Sequence, residues 1–356
     1  MREKVTFDNS STPFMDSLNE KVENYFRENN LIKTGDWRLF SKTVIIIPFH
    51  IAFYVLMITL NFNPIFNWIS ALLLGFSSAL IGFNIMHDGS HGGYSGNKFL
   101  NLIMAHSMNL LGAEAYFWKT KHNVLHHTYT NIDGMDDDIA KHPLFRFCEQ
   151  QERKPFHRLQ HIYWIILYPF TSIFWVYFTD FQKYFTGEII KNFKYPKMNF
   201  NQHFIFWFTK IAYTYIYFVL PIQMIGVIPT IVCFITMHFV LSIVLIIVFQ
   251  LAHVVEGPTF ASKEEEVIEK EWAIHQVETT ANFATDNKIV NWIVGGLNFQ
   301  VEHHLFPKVS HVHYPALSKF VQETCREFGV PYHNFNTFRS AVVSHVKHLQ
   351  HLGATA

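Results

Sequence analysis

The chain has 356 residues, of which 49% are hydrophobic, 17% aromatic and only 16% charged, where a soluble domain carries about 25% charged residues. The missing charge is concentrated in a few long apolar runs, which excludes an ordinary soluble domain and describes a membrane protein with a large polar portion. Formal net charge is +0, so bulk charge does not point to nucleic acid as a partner.

Residues 1–40 are mixed and polar, with no signal-peptide pattern. Four segments then reach the roughly 20 residues that a bilayer crossing needs, near 43–62, 66–86, 205–226 and 229–252. They pair as two tight hairpins, turning at Asn61–Pro64 and near Gly226–Pro229. Neither turn carries Lys or Arg, whereas residues 1–42, 87–204 and 253–356 hold nearly all the basic side chains. That asymmetry predicts a cytoplasmic location for these three regions. Two further stretches, 99–118 and 162–178, are apolar enough to pass a hydropathy test, but the first carries Asn101, His106, Asn109 and Glu114 and the second is short and contains Pro169. Both are expected to lie in the membrane interface. A crossing by either alone would put the histidines before and after it on opposite faces. The spans themselves are expected to lack mid-span charge, which argues against a transporter pathway. The expectation is a single all-α integral membrane domain over 1–356, with a cytosolic histidine-rich cap.

The unusual count is 22 histidines, and histidine is the commonest metal-ligating side chain. HDGSH places His87 and His91 at i, i+4, on one face of a helix. HNVLHH contributes His122, His126 and His127. QLAH ends the fourth span at His253, and QVEHH contributes Gln300, His303 and His304. Eight histidines exceed the needs of one zinc and suggest two metals; imidazoles without thiolates suit iron, copper, nickel or zinc. Ligating histidines also need acceptors for their second ring nitrogen, and Asp88, Asp133, Asp136, Asp137, Asp138, Glu256 and Glu302 are available. The acidic run 136–138 also reads as a solvated loop. HDGSH is not a zinc-protease motif, which needs H-E-x-x-H with Glu as base. His50 and His238 lie inside spans, and His238, fifteen residues before His253, is too deep to share its metal. His106, His142, His157, His161, His203, His275, His311, His313, His333, His345, His348 and His351 are expected at the surface or interface. Cys148, Cys233 and Cys325 form no metal or disulfide pattern.

HDGSH, HNVLHH followed by TYTNIDGMDDDI, and GGLNFQVEHHLFP resemble the three histidine boxes of the membrane-bound fatty acid desaturases. The third box, opening with Gln, is similar to that of the front-end branch, which includes Δ5 and Δ6 acyl and Δ8 sphingolipid desaturases. The resemblance runs from the first hairpin to the tail. It implies a non-haem di-iron centre held by His87, His91, His122, His126, His127, His253, His303 and His304, with His253 following from its place at the end of the last span. Gln300 would ligate through its amide oxygen, hold a water or orient a neighbour. The implied reaction introduces a cis double bond into an acyl-CoA or membrane-lipid acyl chain using dioxygen and two electrons. A hydroxylase on the same scaffold is the alternative, and a polytopic transporter a remote one. Many front-end relatives carry a fused cytochrome b5 with an H-P-G-G motif; here only HPLF at 142–145 is present. The implied electron donor is therefore a separate cytochrome b5 or ferredoxin with its reductase, at a bacterial inner membrane or the endoplasmic reticulum.

Overall fold

The computed structural model describes residues 5–59, 63–139, 143–190 and 193–355. Asn61 and Phe62, in the expected first turn, and His142 lie outside them. The chain divides into two compact units: Met1–Asp36, Thr120–Trp164 and Ile247–Ala356 form the first, and Trp37–Lys119 with Ile165–Ile246 the second.

Among the described residues, five helices are long and apolar enough to cross a bilayer: Trp37–Thr59, Pro64–His91, Pro155–Thr186, Phe200–Ile225 and Val227–His253. Four correspond to the expected spans. The fifth contains the 162–178 stretch, expected to be interfacial. Pro169 does not end it; a short 3-10 turn, Tyr168–Phe170, absorbs the proline and the backbone continues as helix. The 99–118 stretch is instead broken into Lys98–Ala105, Ser107–Leu110 and Ala115–Thr120. Gly112 lies in the second break at φ 87°, and a Cβ there would stand 2.7 Å from the Tyr213 ring.

Within the second unit, close backbone approach is made possible by small residues, as membrane helices require. A Cβ on Gly75 would lie 2.3 Å from the Met237 carbonyl, and one on Gly89 would lie 2.7 Å from the Met104 Cβ. Gly89 therefore seats the His87–His91 turn directly against the helix Lys98–Ala105. The expectation of charge-free spans fails at Lys210, inside the helix Phe200–Ile225. Its ammonium is buried and donates to Asp180 Oδ2 at 2.7 Å and to the carbonyls of Gly112 at 2.6 Å and Val176 at 2.9 Å. Asp180 also accepts from the Glu114 backbone N–H and the Trp175 indole. An ion pair this well satisfied is tolerated where a lone charge is not.

The first unit is built around an amphipathic helix, Pro13–Glu28. Phe14, Leu18, Val22 and Phe26 recur every four residues and pack on Val277, Val301, Leu305, Leu317 and Val321. Glu271 caps that helix, accepting from the free N–H groups of Phe14 and Met15. Arg146 is buried and donates to the carbonyls of Leu352 and Thr355, closing the helix Phe338–Ala354. Strands are minimal. Three parallel pairs join Thr6–Phe7 to Val267–Ile268, Ile132–Asp133 to Ala261–Ser262, and Ala281–Phe283 to His333–Phe335. The antiparallel pair Glu188–Ile190 with Phe193–Lys194 belongs to the second unit.

Several histidines expected at the surface are core residues. His157, His275 and His345 are buried, each with a ring nitrogen on a backbone carbonyl, of Pro143, Thr130 and Val254 respectively. His311 and His313 are buried as well. Burial pushes His345 down to about 4, so it packs as a neutral ring. His351 is exposed, near Glu149.

Removing Lys210 leaves Asp180 as an uncompensated buried charge. Lys210→Met is expected to cost about 3–5 kcal/mol, read as a lower thermal midpoint of the detergent-solubilised protein.

Candidate metal centre

Two of the histidine boxes are shaped by π-helical turns, which arise mostly at functional sites. In the turn Lys121–His126, the His127 N–H bonds the His122 carbonyl five residues back at 3.1 Å. Residues five apart are thereby brought to the same face of the turn. The His122 and His127 Nε2 atoms lie 3.3 Å apart, while His122 and His126 stack with ring centroids 5.1 Å apart. The i, i+4, i+5 spacing thus sends all three imidazoles into one space. A second π turn, Gly82–Met86, runs directly into His87–His91.

Inside the first unit, His126, His253 and His304 each offer one donor nitrogen, all within 4.8 Å of one another. Their rings stand 4.8–4.9 Å apart, His253 and His304 both against His126 and against each other. His253 is the last residue of the membrane-length helix Val227–His253. The short helix Gln300–Leu305 presents Gln300, His303 and His304 on one face and turns Glu302 the other way. His303 lies against His127, ring centroids 4.6 Å apart, and stacks with His122 at 6.0 Å. All six histidines are at least 95% buried. Gln300 is buried at the start of the same helix.

The surroundings fix the rings. His126 Nδ1 donates to both oxygens of Asp136, at 3.1 and 3.0 Å. His253 Nδ1 donates to the Thr279 carbonyl at 3.3 Å. His304 Nδ1 donates to Gln276 Oε1 at 2.9 Å, an oxygen that also accepts from the Thr130 hydroxyl. His303 Nδ1 meets the Tyr314 hydroxyl at 3.1 Å. With Nδ1 engaged, Nε2 keeps the lone pair that can coordinate, as metal-ligating histidines require. Three buried imidazoles, with no thiolate among them, fit a divalent first-row metal.

Electrostatics point the same way. Burial alone would push His126 down, but Asp136, by charge and hydrogen bond, and Asp138 hold it above its ordinary value. The run 136–138 is therefore not a solvated loop: Asp136 and Asp137 are buried. Lys121 pairs with Asp138 and lies 3.7 Å from Asp137. Asp138 also brings an oxygen within 4.8 Å of the His122 and His126 donors. Asn131, held at φ 56°, ties the parts together. Its N–H donates to Asp136, and its side-chain amide to the carbonyls of His253, Thr259 and Thr279. Of the other carboxylates considered from sequence, Asp133 accepts from Gln151 and Glu302 accepts from Asn282 and Tyr332. Burial keeps the Glu302 carboxyl above its ordinary range.

Sequence reasoning missed Thr130, Asn131, Gln276, Thr279 and Tyr314, which act through hydrogen bonds between segments distant in sequence and carry no spacing signal. In the second unit, His87 and His91 face the same side of their turn, with ring centroids 4.8 Å apart. Trp118 lies edge-on to both.

Asp136→Asn retains the shape but weakens the hold on His126. It is expected to lower metal affinity about 10–100-fold in a protein of unchanged elution profile, measured as metal retained per chain against a graded chelator.

A family model described as fatty acid desaturase matches residues 63–336. The sn-1 linoleoyl-lipid 6-desaturase of Arthrospira platensis is 35% identical over 352 residues, covering 98% of this chain and 94% of that protein. The acyl-lipid (8-3)-desaturase of Physcomitrium patens is 36% identical over 345 residues, covering 95% of this chain and 71% of that protein. The acyl-lipid (8-3)-desaturase of Mortierella alpina is 29% identical over 349 residues, covering 96% and 78%. With this match across most of its length and a buried histidine centre at the end of a membrane-length helix, the chain belongs to the fatty acid desaturase family, membrane oxidoreductases that desaturate acyl chains.

Proposed function

We propose that the protein introduces a cis double bond into a lipid-linked acyl chain at a pair of iron ions. The observation that carries this reading is the burial of His126, His253 and His304 around one point at the end of the helix Val227–His253. A lipid chain is confined to the bilayer, and a metal at the mouth of a membrane helix is where such a chain can meet it. The relatives named as acyl-lipid desaturases support a lipid-linked substrate over acyl-CoA.

The proposed ligands are the seven histidines of the boxes together with His253: His87, His91, His122, His126, His127, His253, His303 and His304. Gln300 lies on the ligand face of its helix and is proposed as a near-metal group. When bound, the irons would supply the oxygen-activating redox chemistry that an unactivated C–H bond demands. Two hydrogens leave adjacent carbons, and dioxygen with two electrons and two protons becomes two waters. The chain's own residues hold and orient: Asp136, Gln276 and the Thr279 carbonyl keep the imidazoles in one tautomer. A separate donor, cytochrome b5 or a ferredoxin with its reductase, is proposed to deliver the electrons.

We also propose four full crossings, with the centre on the cytoplasmic side. The helix Pro155–Thr186 is interrupted at Tyr168–Phe170, and its exposed Ile162, Ile165, Ile166, Phe170 and Phe174 suit a segment lying in the membrane without traversing it. Cysteines introduced at Lys154 and Lys197 are expected to react with an impermeant maleimide from the same side. Labelling from opposite sides contradicts this topology.

Expression in a host of defined lipid composition, followed by mass spectrometry of its acyl chains, tests the function. A new alkene is expected on lipid-linked chains. A product retaining oxygen indicates a hydroxylase, and no change on any supplied chain refutes the reading. In the same host, His303→Ala is expected to lose both metal and product, and His351→Ala to keep both.

A further inference from the structure

Lys42 has no place in the histidine boxes, yet it is a charged side chain buried in the second unit. It sits in the helix Trp37–Thr59 and is only 6% exposed. A lysine near a span terminus usually snorkels to the water with its head free. Here the ammonium turns inward and donates to Asn84 Oδ1 at 2.8 Å. Asn84 is fully buried within the π turn Gly82–Met86 and donates onward to the Leu80 carbonyl at 3.1 Å. The next residue, Thr43, meets the Tyr94 hydroxyl at 2.8 Å. Neighbouring side chains of one helix thus grip the chain three residues before His87 and three residues after His91.

Asp88 lies between these grips and is 3% exposed. Its charge acts on both the Lys42 ammonium and the Tyr94 hydroxyl. Its backbone carbonyl accepts from Gly93 at 2.8 Å and Tyr94 at 3.2 Å, closing the turn behind His91. Burying a lysine and an aspartate adds little net stability over apolar residues of similar volume. What such a pair can add is a single defined arrangement. A π turn has poorer intrinsic stability than an α turn, so a residue that holds it also sets the direction of the imidazoles that follow.

We infer that Lys42 is a positioning residue for the first histidine box, acting through Asn84 and Asp88 to hold His87 and His91 in their coordinating orientation. The inference rests on the reading that these two histidines ligate metal. The test measures iron per chain, by elemental analysis of purified protein, and its resistance to a graded chelator. Variants are His91→Ala, Lys42→Met, the Lys42→Met/Asp88→Asn pair, and Val44→Ala as a control on the same helix. His91→Ala should lose iron; iron retained in full would overturn the ligand reading itself. Given that loss, Lys42→Met is expected to hold iron about 10–100-fold less tightly with an unchanged elution profile, while Val44→Ala matches the parent. Parent-like retention in Lys42→Met overturns the inference and leaves the ligand reading intact. Should Lys42→Met fail to accumulate, the paired variant, which has no unpaired buried charge, decides: iron held about 10–100-fold less tightly than in the parent supports the inference, and parent-like retention contradicts it.

Discussion

A histidine can serve a metal only if its other ring nitrogen is told where to stay. That constraint organises the first unit. Asp136, Tyr314 and one helix end, which supplies both Gln276 and the Thr279 carbonyl, come from three separate segments, and each group fixes one imidazole. Asn131 takes a left-handed backbone to bind three carbonyls and feed Asp136 at once. The helical core of Phe14, Leu18, Val301 and Leu317 supplies the rigid backing that keeps the helix Gln300–Leu305 in register. The same packing buries the imidazoles of His126, His253, His303 and His304.

The placement of His253 links this chemistry to the bilayer. One residue closes a membrane-length helix and contributes to the buried cluster. A family of enzymes that acts on acyl chains needs such a junction, because the substrate brings no charge that could draw it out of the membrane. Polar groups inside the apolar unit serve a different end. Lys210, Asp180 and Glu114 satisfy one another and tie broken helices together, and Lys42 does the same around the first box.

Much of the centre was legible in the sequence, because ligand spacing follows from helix geometry. HDGSH announces itself at i, i+4, HNVLHH at i, i+4 and i+5, and QVEHH at i, i+3 and i+4, and QLAH at the end of a hydrophobic run marks His253. The π turns were not legible: no residue pattern separates them from an α turn, although they explain why the i+5 spacing works. The run 136–138 reads as solvated by composition, yet its burial follows from a partner ten residues away, His126. The histidines His157, His275 and His345 look like surface groups until backbone carbonyls are seen to receive them. Pro169 suggested an ending, and a single 3-10 turn was enough to pass it. In each case the missing information was a long-range hydrogen bond or a local backbone adjustment, neither of which leaves a periodic trace.

The central claim, that these histidines form a nitrogen-rich di-iron centre, is tested most directly on protein grown with isotopically enriched iron and examined by Mössbauer spectroscopy. The account predicts two iron ions per chain in nitrogen-rich, non-haem, cluster-free environments, both oxidised and reduced together with turnover. One iron per chain, or a spectrum of sulfur-ligated iron, would contradict it.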